Sequence, residues 1–425
     1  MLSWNYPGTE NKKRVTTFKE NDDNKTLKVY DYDENTGNKI RETTYQDNED
    51  KIATVIEYDP KVKDKITQST RYKPDGKNPL ICLEHDKNTN NVVRRTEYQD
   101  TNVQIDKIIV YDTNQKIQTI TQYRDNSNQK KTVTENYPGT ENKKQVTTFK
   151  KNDDTKPLII SEFHQTTGNK IRRTEYQDHE DKIETVIEYD PDVKDEKITK
   201  RTKYKPDGIN PLIVYDYDEN TKNIKKETKY QQDNIRKEQI IEYDPQKANR
   251  KTKITTFKND GVNFLTVEEY NSQTKHKTKQ TDYRTDMNKI QSIHLYTSNK
   301  KIQTTTFKKN DDTKPLIISE FHQTTGNKVR KTEYQDNEDK IETVIEYDPK
   351  VKDKITKATQ YKKDGINPSL VYDFDENTGN LTKTTEYWND TNNNVKTITT
   401  YNPATGAIIE TTNYDQNGIL ITNNN

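Results

Sequence analysis

The stretch "KTEYQDNEDKIETVIEYDPKVKDKIT", which runs from Lys331 to Thr356, decides the fold. Within it, "KIETVIEY" alternates, so that Ile341, Thr343 and Ile345 share one face while Val344 lies with two glutamates on the other. Alternation with a period of two is typical of a β-strand and not of a helix. β-Branched residues and tyrosine, which favour strands, enrich the segment.

Turn signals bound this strand on both sides. A more polar strand, "NKVRKTEY" (327–334), precedes it, and "YDP" (347–349) follows it. Connectors such as "KPDG" (205–208) and "DENTG" (375–379) supply the proline, aspartate, asparagine and glycine that tight turns use. Short strands joined by such turns predict β-hairpins, and no stretch has a helical period.

The same words recur along the chain. Close copies stand at 44–67 and 173–199, and aromatic residues return so that one unit has about 26 residues, giving about sixteen units. In repeat arrays each unit completes the structure of its neighbour. We therefore predict an all-β protein of tandem up-and-down β-hairpins that form an elongated, twisted or spiralling β-sheet solenoid.

Longer duplications lie over this period. Residues 6–58 match 137–189 at an offset of 131, and residues 149–221 match 307–378 at an offset of 158 or 157. Copying by whole units is what a quasi-one-dimensional array tolerates. The duplications predict one continuous array of three repeat blocks, the last with a polar C-terminal cap: 1–136, 137–295 and 296–425.

The composition indicates a folded chain with a thin core. Only 27% of the residues are hydrophobic, but the net charge is +1 and there are 27 tyrosines, whereas disordered chains are poor in aromatics and often strongly charged. Nucleic-acid binders usually have a basic excess or a basic stripe. The balanced charge therefore predicts no nucleic-acid partner.

Few features address the compartment. Cys82 is the single cysteine, so no internal disulfide forms. No apolar run approaches the roughly 18 residues of a membrane span. The N-terminal segment "MLSWNYPGTENKK" lacks the features of a signal peptide and begins at a repeat junction. We expect a cytoplasmic protein as the sequence stands, or a secreted or surface-exposed one if an upstream leader is missing.

Residues that carry chemistry are sparse. The six histidines do not pair at ligand spacing, no catalytic or phosphate-binding motif is present, and we expect neither an enzyme nor a cofactor. Asp31, Asp33 and Asn35 in "DYDENTG" have the alternating oxygen spacing of a calcium loop. The alternative is a hairpin turn with Asx hydrogen bonds, which the late glycine and the lack of flanking helices favour.

Tyrosines are the remaining candidates for a binding surface. Tyrosine gives a large contact area at low entropic cost. The candidate contact residues share repeat positions at strand ends, or break the pattern in the case of the tryptophan: Tyr176, Tyr189, Tyr334, Tyr347 and Trp388. The alternative is that the rings pack across strands and supply most of the core.

The phrases "YDENTGNKIRETTYQ" (32–46), "YDPKVKDKI" (347–355) and "YNPATGAIIETTNYDQNG" (401–418) resemble a phytoplasma tandem-repeat family of unknown function. The resemblance covers almost the whole chain. More loosely, the chain is similar to the tyrosine–aspartate repeats of Rhs-type shells and to MORN-like hairpin repeats. The family resemblance implies a β-hairpin array and assigns no catalytic residue.

We expect a non-enzymatic repeat scaffold that binds an unknown protein partner, with a host protein at the pathogen–host interface among the candidates. Three other functions stay open at this point. The first is a spiral β-shell that encloses or presents another polypeptide. The second is a glycan-binding surface protein, and the third is a fragment of a longer surface protein.

Overall fold

A computed structural model describes residues 1–20, 22–47, 50–101, 103–232, 235–286, 288–336, 338–389 and 393–422. In these ranges the chain forms β-strands and turns and no helix. It divides into two compact units, Met1–Pro211 and Leu212–Asn425. The three repeat blocks stay a prediction, since they mark where sequence was duplicated and not where the chain is compact.

The first unit contains the strands β1 (Leu2–Asn5), β2 (Lys12–Lys19), β3 (Asp22–Tyr32), β4 (Lys39–Tyr45), β5 (Ile52–Tyr58), β6 (Ile66–Tyr72), β7 (Pro79–His85), β8 (Val92–Tyr98), β9 (Ile105–Tyr111), β10 (Ile117–Tyr123), β11 (Lys130–Asn136), β12 (Lys143–Lys150), β13 (Asp153–Phe163), β14 (Lys170–Tyr176), β15 (Ile183–Tyr189) and β16 (Ile198–Tyr204).

The second unit contains β17 (Pro211–Tyr217, from Leu212 onward), β18 (Ile224–Tyr230), β19 (Lys237–Tyr243), β20 (Lys251–Phe257), β21 (Phe264–Tyr270), β22 (Lys277–Tyr283), β23 (Ile290–Thr297), β24 (Lys300–Phe307), β25 (Pro315–Phe321), β26 (Lys328–Tyr334), β27 (Ile341–Tyr347), β28 (Ile355–Tyr361), β29 (Pro368–Phe374), β30 (Leu381–Tyr387), β31 (Val395–Tyr401) and β32 (Ile408–Asn413).

Within each unit, every strand pairs antiparallel with the next strand in sequence, as in the pairs β14–β15 and β26–β27. The predicted all-β array of tandem hairpins is therefore confirmed. Because the strands run up and down, successive turns alternate between two edges. We call the edge with the turns after even-numbered strands the lysine edge, and the edge with the turns after odd-numbered strands the asparagine edge.

Most strands end in an aromatic residue, and a shift in register precedes it. Glu175 pairs with Thr185, but Tyr176 pairs with Ile183, so one residue of β15 bulges out. The same shift precedes Tyr347. A β-bulge bends its strand and increases the local twist. At these strands the bulge thus brings the terminal tyrosine opposite the first residue of the neighbouring strand, Ile183 for Tyr176 and Ile355 for Tyr347.

One face of the strands, which we call the threonine face, carries a central row in which threonine alternates with an aliphatic residue. Thr174 pairs with Val186, which pairs with Thr202, and in the second unit Thr332 pairs with Val344. Val55, Val186 and Val344 of this row are only 3%, 2% and 3% exposed. β-Branched pairs across strands stabilise a sheet, so this row is the core of each unit.

The composition of this core differs from the alternative in which the tyrosine rings supply most of it. Tyr58 and Tyr189 are buried, but most tyrosines are half-buried. The reason is position, because the threonine row crosses the middle of the strands whereas most tyrosines lie at a strand end beside a turn. Sequence alternation shows which residues share a face but not which face is better covered.

Beside the threonine row runs a row of alternating charge. In the second unit the pairing order is Asp216, Lys226, Glu242, Lys253, Glu269 and Lys279. The Nζ of Lys279 lies 3.4 Å from the carboxylate of Glu269, and Arg172 Nε lies 3.8 Å from Glu162 in the first unit. Opposite charges on directly paired residues are favourable, which accounts for a chain that is highly charged but nearly neutral.

Candidate interaction surfaces

On the lysine edge, a buried lysine joins each of several turns to the next turn of the same edge. Lys150 is 6% exposed, and its Nζ donates a hydrogen bond of 2.7 Å to the carbonyl oxygen of Glu180. Lys308 makes the same bond to Glu338 at 2.7 Å, and Lys73 donates to the carbonyl of Gln99. A buried ammonium is tolerated only when it is hydrogen-bonded or paired. These lysines therefore hold turns together and are not free binding groups.

Glycine makes the second contact of the lysine edge. Gly208 has a φ of +72°, and a Cβ there would lie 2.5 Å from the Cβ of Lys182 in the preceding turn of this edge. Gly365 has a φ of +73°, and the same distance would separate its Cβ from that of Lys340. Only glycine satisfies both the left-handed backbone and this close approach. The "DG" of the repeat is thus a turn signal and a site of contact between turns.

The asparagine edge uses shorter side chains. Asn169 donates its Nδ2–H to the carbonyl of Pro191 at 2.9 Å, and the hydroxyl of Thr167 donates to the same oxygen at 2.9 Å. Asn327 reaches Pro349 in the same way at 3.1 Å. The repeated words "TGN" and "YDP" therefore meet in space, because the asparagine of one turn binds the proline carbonyl of the next turn on that edge.

The carboxylates of the calcium candidate accept hydrogen bonds from within the chain. Asp31 accepts a hydrogen bond of 2.6 Å from Arg14 Nε, and Asp33 accepts from the backbone N–H groups of Asn35 and Thr36 at 3.1 and 2.8 Å. The bonds from Thr36 lower the pKa of Asp33. This is the Asx turn of the alternative interpretation. In the described ranges, no group of three or more His, Cys, Asp or Glu side chains is placed to hold a metal ion.

Lysine side chains cover the faces of several candidate tyrosine rings. Lys170 Nζ lies 5.6 Å from the centroid of Tyr189, and Lys328 Nζ lies 5.1 Å from that of Tyr347. In each case the lysine begins one strand and the ring ends the next, within the distance at which a cation is attracted to a ring. Burial raises the pKa of Tyr176, Tyr189 and Tyr347. Tyr334 is half-buried at the equivalent strand end.

Trp388 occupies the position that lysine or glutamine has in other turns of the lysine edge. Its indole N–H donates a hydrogen bond of 3.2 Å to the carbonyl of Tyr414, and Lys396 Nζ lies 5.7 Å from the ring. The side chain is half-buried. Trp388 and the four tyrosines are therefore spread over separate strand ends, and their role as contact residues stays a prediction.

A polar network surrounds Glu42 on the face opposite the threonine face. Lys28 Nζ and Lys39 Nζ lie 2.9 and 3.3 Å from its carboxylate, and the Tyr58 hydroxyl donates to it at 3.1 Å. Burial raises the pKa of Glu42, but these three bonds outweigh it and the pKa is lowered overall. The carboxylate is therefore charged and neutralised by its neighbours.

His294 lies in a second network of this face. Its Nε2 is 2.8 Å from Asp282 Oδ2 and 3.2 Å from Ser292 Oγ, and its Nδ1 is 2.9 Å from Thr304 Oγ1. In a hydrolytic triad the carboxylate and the serine face different ring nitrogens. Here both face Nε2, so the cluster does not reproduce that arrangement.

Aliphatic side chains project from turns of the lysine edge, and the sequence analysis missed them. Ile209, Val262 and Ile366 follow the turn glycines and are 78%, 74% and 77% exposed. Their backbone N–H groups bind the turn aspartates, as Ile209 binds Asp207 at 2.8 Å, so each side chain is held outward. Their signal is the repeated "DGI" or "DGV", where a polar residue is usual for a turn. We call these three residues the aliphatic tips.

Neighbouring turns place a further apolar residue beside one tip. Ile235 is exposed, and the next residue, Arg236, touches the turn of Val262 at Gly261. The second unit thus carries two adjacent exposed aliphatic side chains on one edge.

No helix in the described part of the chain is long and apolar enough to cross a membrane.

Comparison with known proteins places the chain in a family. The model for "Protein of unknown function (DUF2963)" matches eight overlapping segments: 20–70, 45–97, 151–195, 176–229, 230–282, 257–306, 307–359 and 334–386. The chain belongs to the DUF2963 family. Most matches span about two of the 26-residue units, which confirms the prediction of a tandem-repeat family of unknown function. No curated protein matches this DUF2963 chain.

Solved structures resemble the chain only remotely. The TcdB2–TccC3 structure is 12% identical and covers 95% of this chain and 24% of its own, with a TM-score of 0.18. The Photorhabdus luminescens Tc holotoxin pore is 12% identical, covers 97% of this chain and 26% of its own, and has a TM-score of 0.16. The chain therefore spans about a quarter of the length of these structures, and TM-scores at this level carry no inference about it.

Proposed function

We propose that this DUF2963 protein is a non-enzymatic scaffold that binds a protein partner through the aliphatic tips of its lysine edge. The observation that carries the proposal is the exposure of Ile209, Val262 and Ile366 on turns that hydrogen bonds hold rigid. In the second unit Val262 and Ile235 are exposed on neighbouring turns of this edge, and neighbouring exposed apolar groups are typical of protein-interaction surfaces. Fixed backbone also lowers the entropic cost of binding.

The tips are favoured over the tyrosines as the contact surface. Lysines already lie over the rings of Tyr189 and Tyr347, and a partner would have to displace them. The tips have no such cover. The resemblance to phytoplasma repeats makes a plant or insect-vector protein the first partner to test, and the pathogen–host interface the proposed setting.

The test is affinity capture from plant and insect-vector lysates with the whole chain and a triple variant, Ile209→Lys, Val262→Lys and Ile366→Lys. Lys77 occupies the same turn position in another copy, so the fold accepts lysine there. A matched control is Val62→Lys with Val351→Lys, because these valines are 49% and 47% exposed on the asparagine edge.

We expect a saturable partner that the whole chain and the control variant retain and that the triple variant loses. A partner held equally by all three proteins would reject the tips as the contact surface. Absence of any enriched partner would reject the scaffold function itself.

A further inference from the structure

The face opposite the threonine face has an open cleft over β5, β6 and β7. Its volume is about 330 Å³, and its lining includes Ile56, Ile81, Leu83, Ser69, Arg71 and Arg95. Small-molecule sites are mostly apolar clefts from roughly 300 Å³ upward with a few polar groups that fix orientation. The cleft has this composition, with aliphatic side chains and two guanidinium groups.

The cleft exists because Ser69 is short. Ser69 pairs with Ile56 on one side and with Leu83 on the other, so two aliphatic side chains flank a small one. In the second copy of this segment the long side chain of Arg201 pairs with Ile187. In the third copy the position is Ala358, but it pairs with the large aromatic ring of Tyr372. The combination of a short residue with aliphatic partners is thus particular to the first copy.

Within the described residues, one cation of the cleft has no ion-pair partner. Arg71 is exposed, and its guanidinium makes no hydrogen bond or ion pair in the part of the chain that the structure describes. The acidic groups of the flanking strands are already paired. Glu97 is bound by Arg95 and Lys107 at 2.8 and 3.0 Å, and Glu42 is bound by two lysines and Tyr58.

We infer that this cleft binds a small aliphatic carboxylate, with the hydrocarbon chain against Ile56, Ile81 and Leu83 and the carboxylate on Arg71. Apolar burial favours the chain. A guanidinium and a carboxylate form charge-assisted, frequently bidentate hydrogen bonds, which makes Arg71 the specific anchor. This site is independent of the aliphatic tips, which lie on turns of the lysine edge.

The probe is octanoate, with 1-octanol as the uncharged arm, and saturation-transfer NMR on the whole chain measures binding. The variant Ser69→Arg places in the cleft the residue that the second copy has at Arg201. The variant Arg71→Gln removes the anchor and introduces the residue that the third copy has at Gln360. The matched control is Ala358→Arg in the third copy.

We expect Ser69→Arg to abolish binding of both probes and Ala358→Arg to leave it unchanged. Because Arg71 is exposed, Arg71→Gln should weaken octanoate binding by about two- to fivefold, the range of a solvent-screened ion pair, and leave 1-octanol unaffected. The inference is overturned if octanoate does not bind, if Ser69→Arg binds it normally, or if Ala358→Arg loses it as well. Equal losses of octanoate and octanol on Arg71→Gln would remove the carboxylate from the proposal. Circular dichroism of each variant separates loss of the cleft from loss of the fold.

Discussion

The lysine edge and the asparagine edge both hold each turn against the next turn of the same edge, but they do so with different contacts. The lysine edge uses long buried cations and a glycine contact, as in Lys150 with Glu180 and Gly208 with Lys182. The asparagine edge uses a short amide that reaches a proline carbonyl, as in Asn169 with Pro191.

The difference between the edges shows where the array tolerates change. On the lysine edge the backbones nearly touch, so a single added methyl group meets backbone atoms. On the asparagine edge the turns are joined by side chains alone, and several glycines there have open space around them, such as Gly326. The two edges should therefore respond very differently to equivalent substitutions.

The largest expected effect comes from Gly365→Ala on the lysine edge. Its Cβ would lie 2.5 Å from Lys340 Cβ and 2.8 Å from the backbone nitrogen of Ile341, so the turns must separate. Left-handed backbone strain of about 1–2 kcal/mol and overpacking of about 1–3 kcal/mol should add. Chemical denaturation of the whole chain, with amide exchange around Lys340, measures the loss.

The control for this substitution is Gly326→Ala on the asparagine edge of the same unit. Gly326 has a φ of +74° and no atom within 4 Å of the new Cβ, so only the backbone strain remains. Equal destabilisation by the two substitutions would show that the close contact between turns contributes nothing.

A smaller loss should follow Lys308→Met. The substitution keeps most of the buried stem but removes the donor to the carbonyl of Glu338, and a hydrogen bond that involves a charged group contributes about 1.5–3 kcal/mol. The free energy of unfolding measures this loss. Lys309→Met is the control, because Lys309 is the exposed neighbour. If the two variants are equally stable, the buried lysine does not join the turns.

Asn327→Ala should lower the free energy of unfolding by less than Lys308→Met does. It removes one neutral hydrogen bond to Pro349 O, of about 0.5–1.5 kcal/mol, while Thr325 still donates to the same oxygen at 2.8 Å. The double variant with Thr325→Val should lose more than the sum of the single losses, since the carbonyl then has neither donor. Strict additivity in this cycle would contradict a shared acceptor.

The smallest expected effect is a pH dependence that the two edges have in common. Backbone hydrogen bonds lower the pKa of Asp364 on the lysine edge, chiefly from Ile366, and of Asp375 on the asparagine edge, chiefly from Thr378. A carboxyl group whose pKa is lower in the folded state stabilises above its ordinary value of 3.8. This stabilisation is lost as the pH falls through the lowered value.

The measurement is the free energy of unfolding at about pH 6 and at about pH 2.5 for Asp364→Asn and Asp375→Asn. Each variant should show a slightly smaller difference between the two pH values than the unmodified chain. A larger difference in either variant would mean that the sign of its pKa shift is opposite.

Local sequence predicted the strands and turns well, because alternation and turn residues act over a few positions. "KIETVIEY" and "KPDG" lie in the structure as a strand and a turn. What it did not predict depends on residues that lie about 26 positions apart. The sequence around Lys150 predicts an exposed side chain, but in the structure this lysine is hydrogen-bonded to Glu180. The sequence around Gly208 predicts an ordinary turn glycine, but in the structure this glycine lies against Lys182.

The candidate sites were less predictable than the fold. The tyrosines attract attention by number, but their exposure depends on which lysine covers each ring. The signal of the aliphatic tips is a repeated apolar residue at a turn position where Lys77 is polar, and the cleft at Ser69 is visible only where one copy departs from the others. Ile209 against Lys77, and Ser69 against Arg201, are such departures.

The row of alternating charge imposes a parity rule on how such a gene can grow. From Asp216 to Lys279, each strand that offers an acidic residue, such as Glu242, lies next to one that offers a basic residue, such as Lys253. Insertion of a single strand would set like charges side by side and exchange the two edges, whereas insertion of a pair preserves both. The two long duplications follow this rule. One places β4 onto β14 and the other places β14 onto β26, and both shifts are even numbers of strands. The hairpin, and not the single strand, is therefore the smallest unit by which this protein can be extended through duplication.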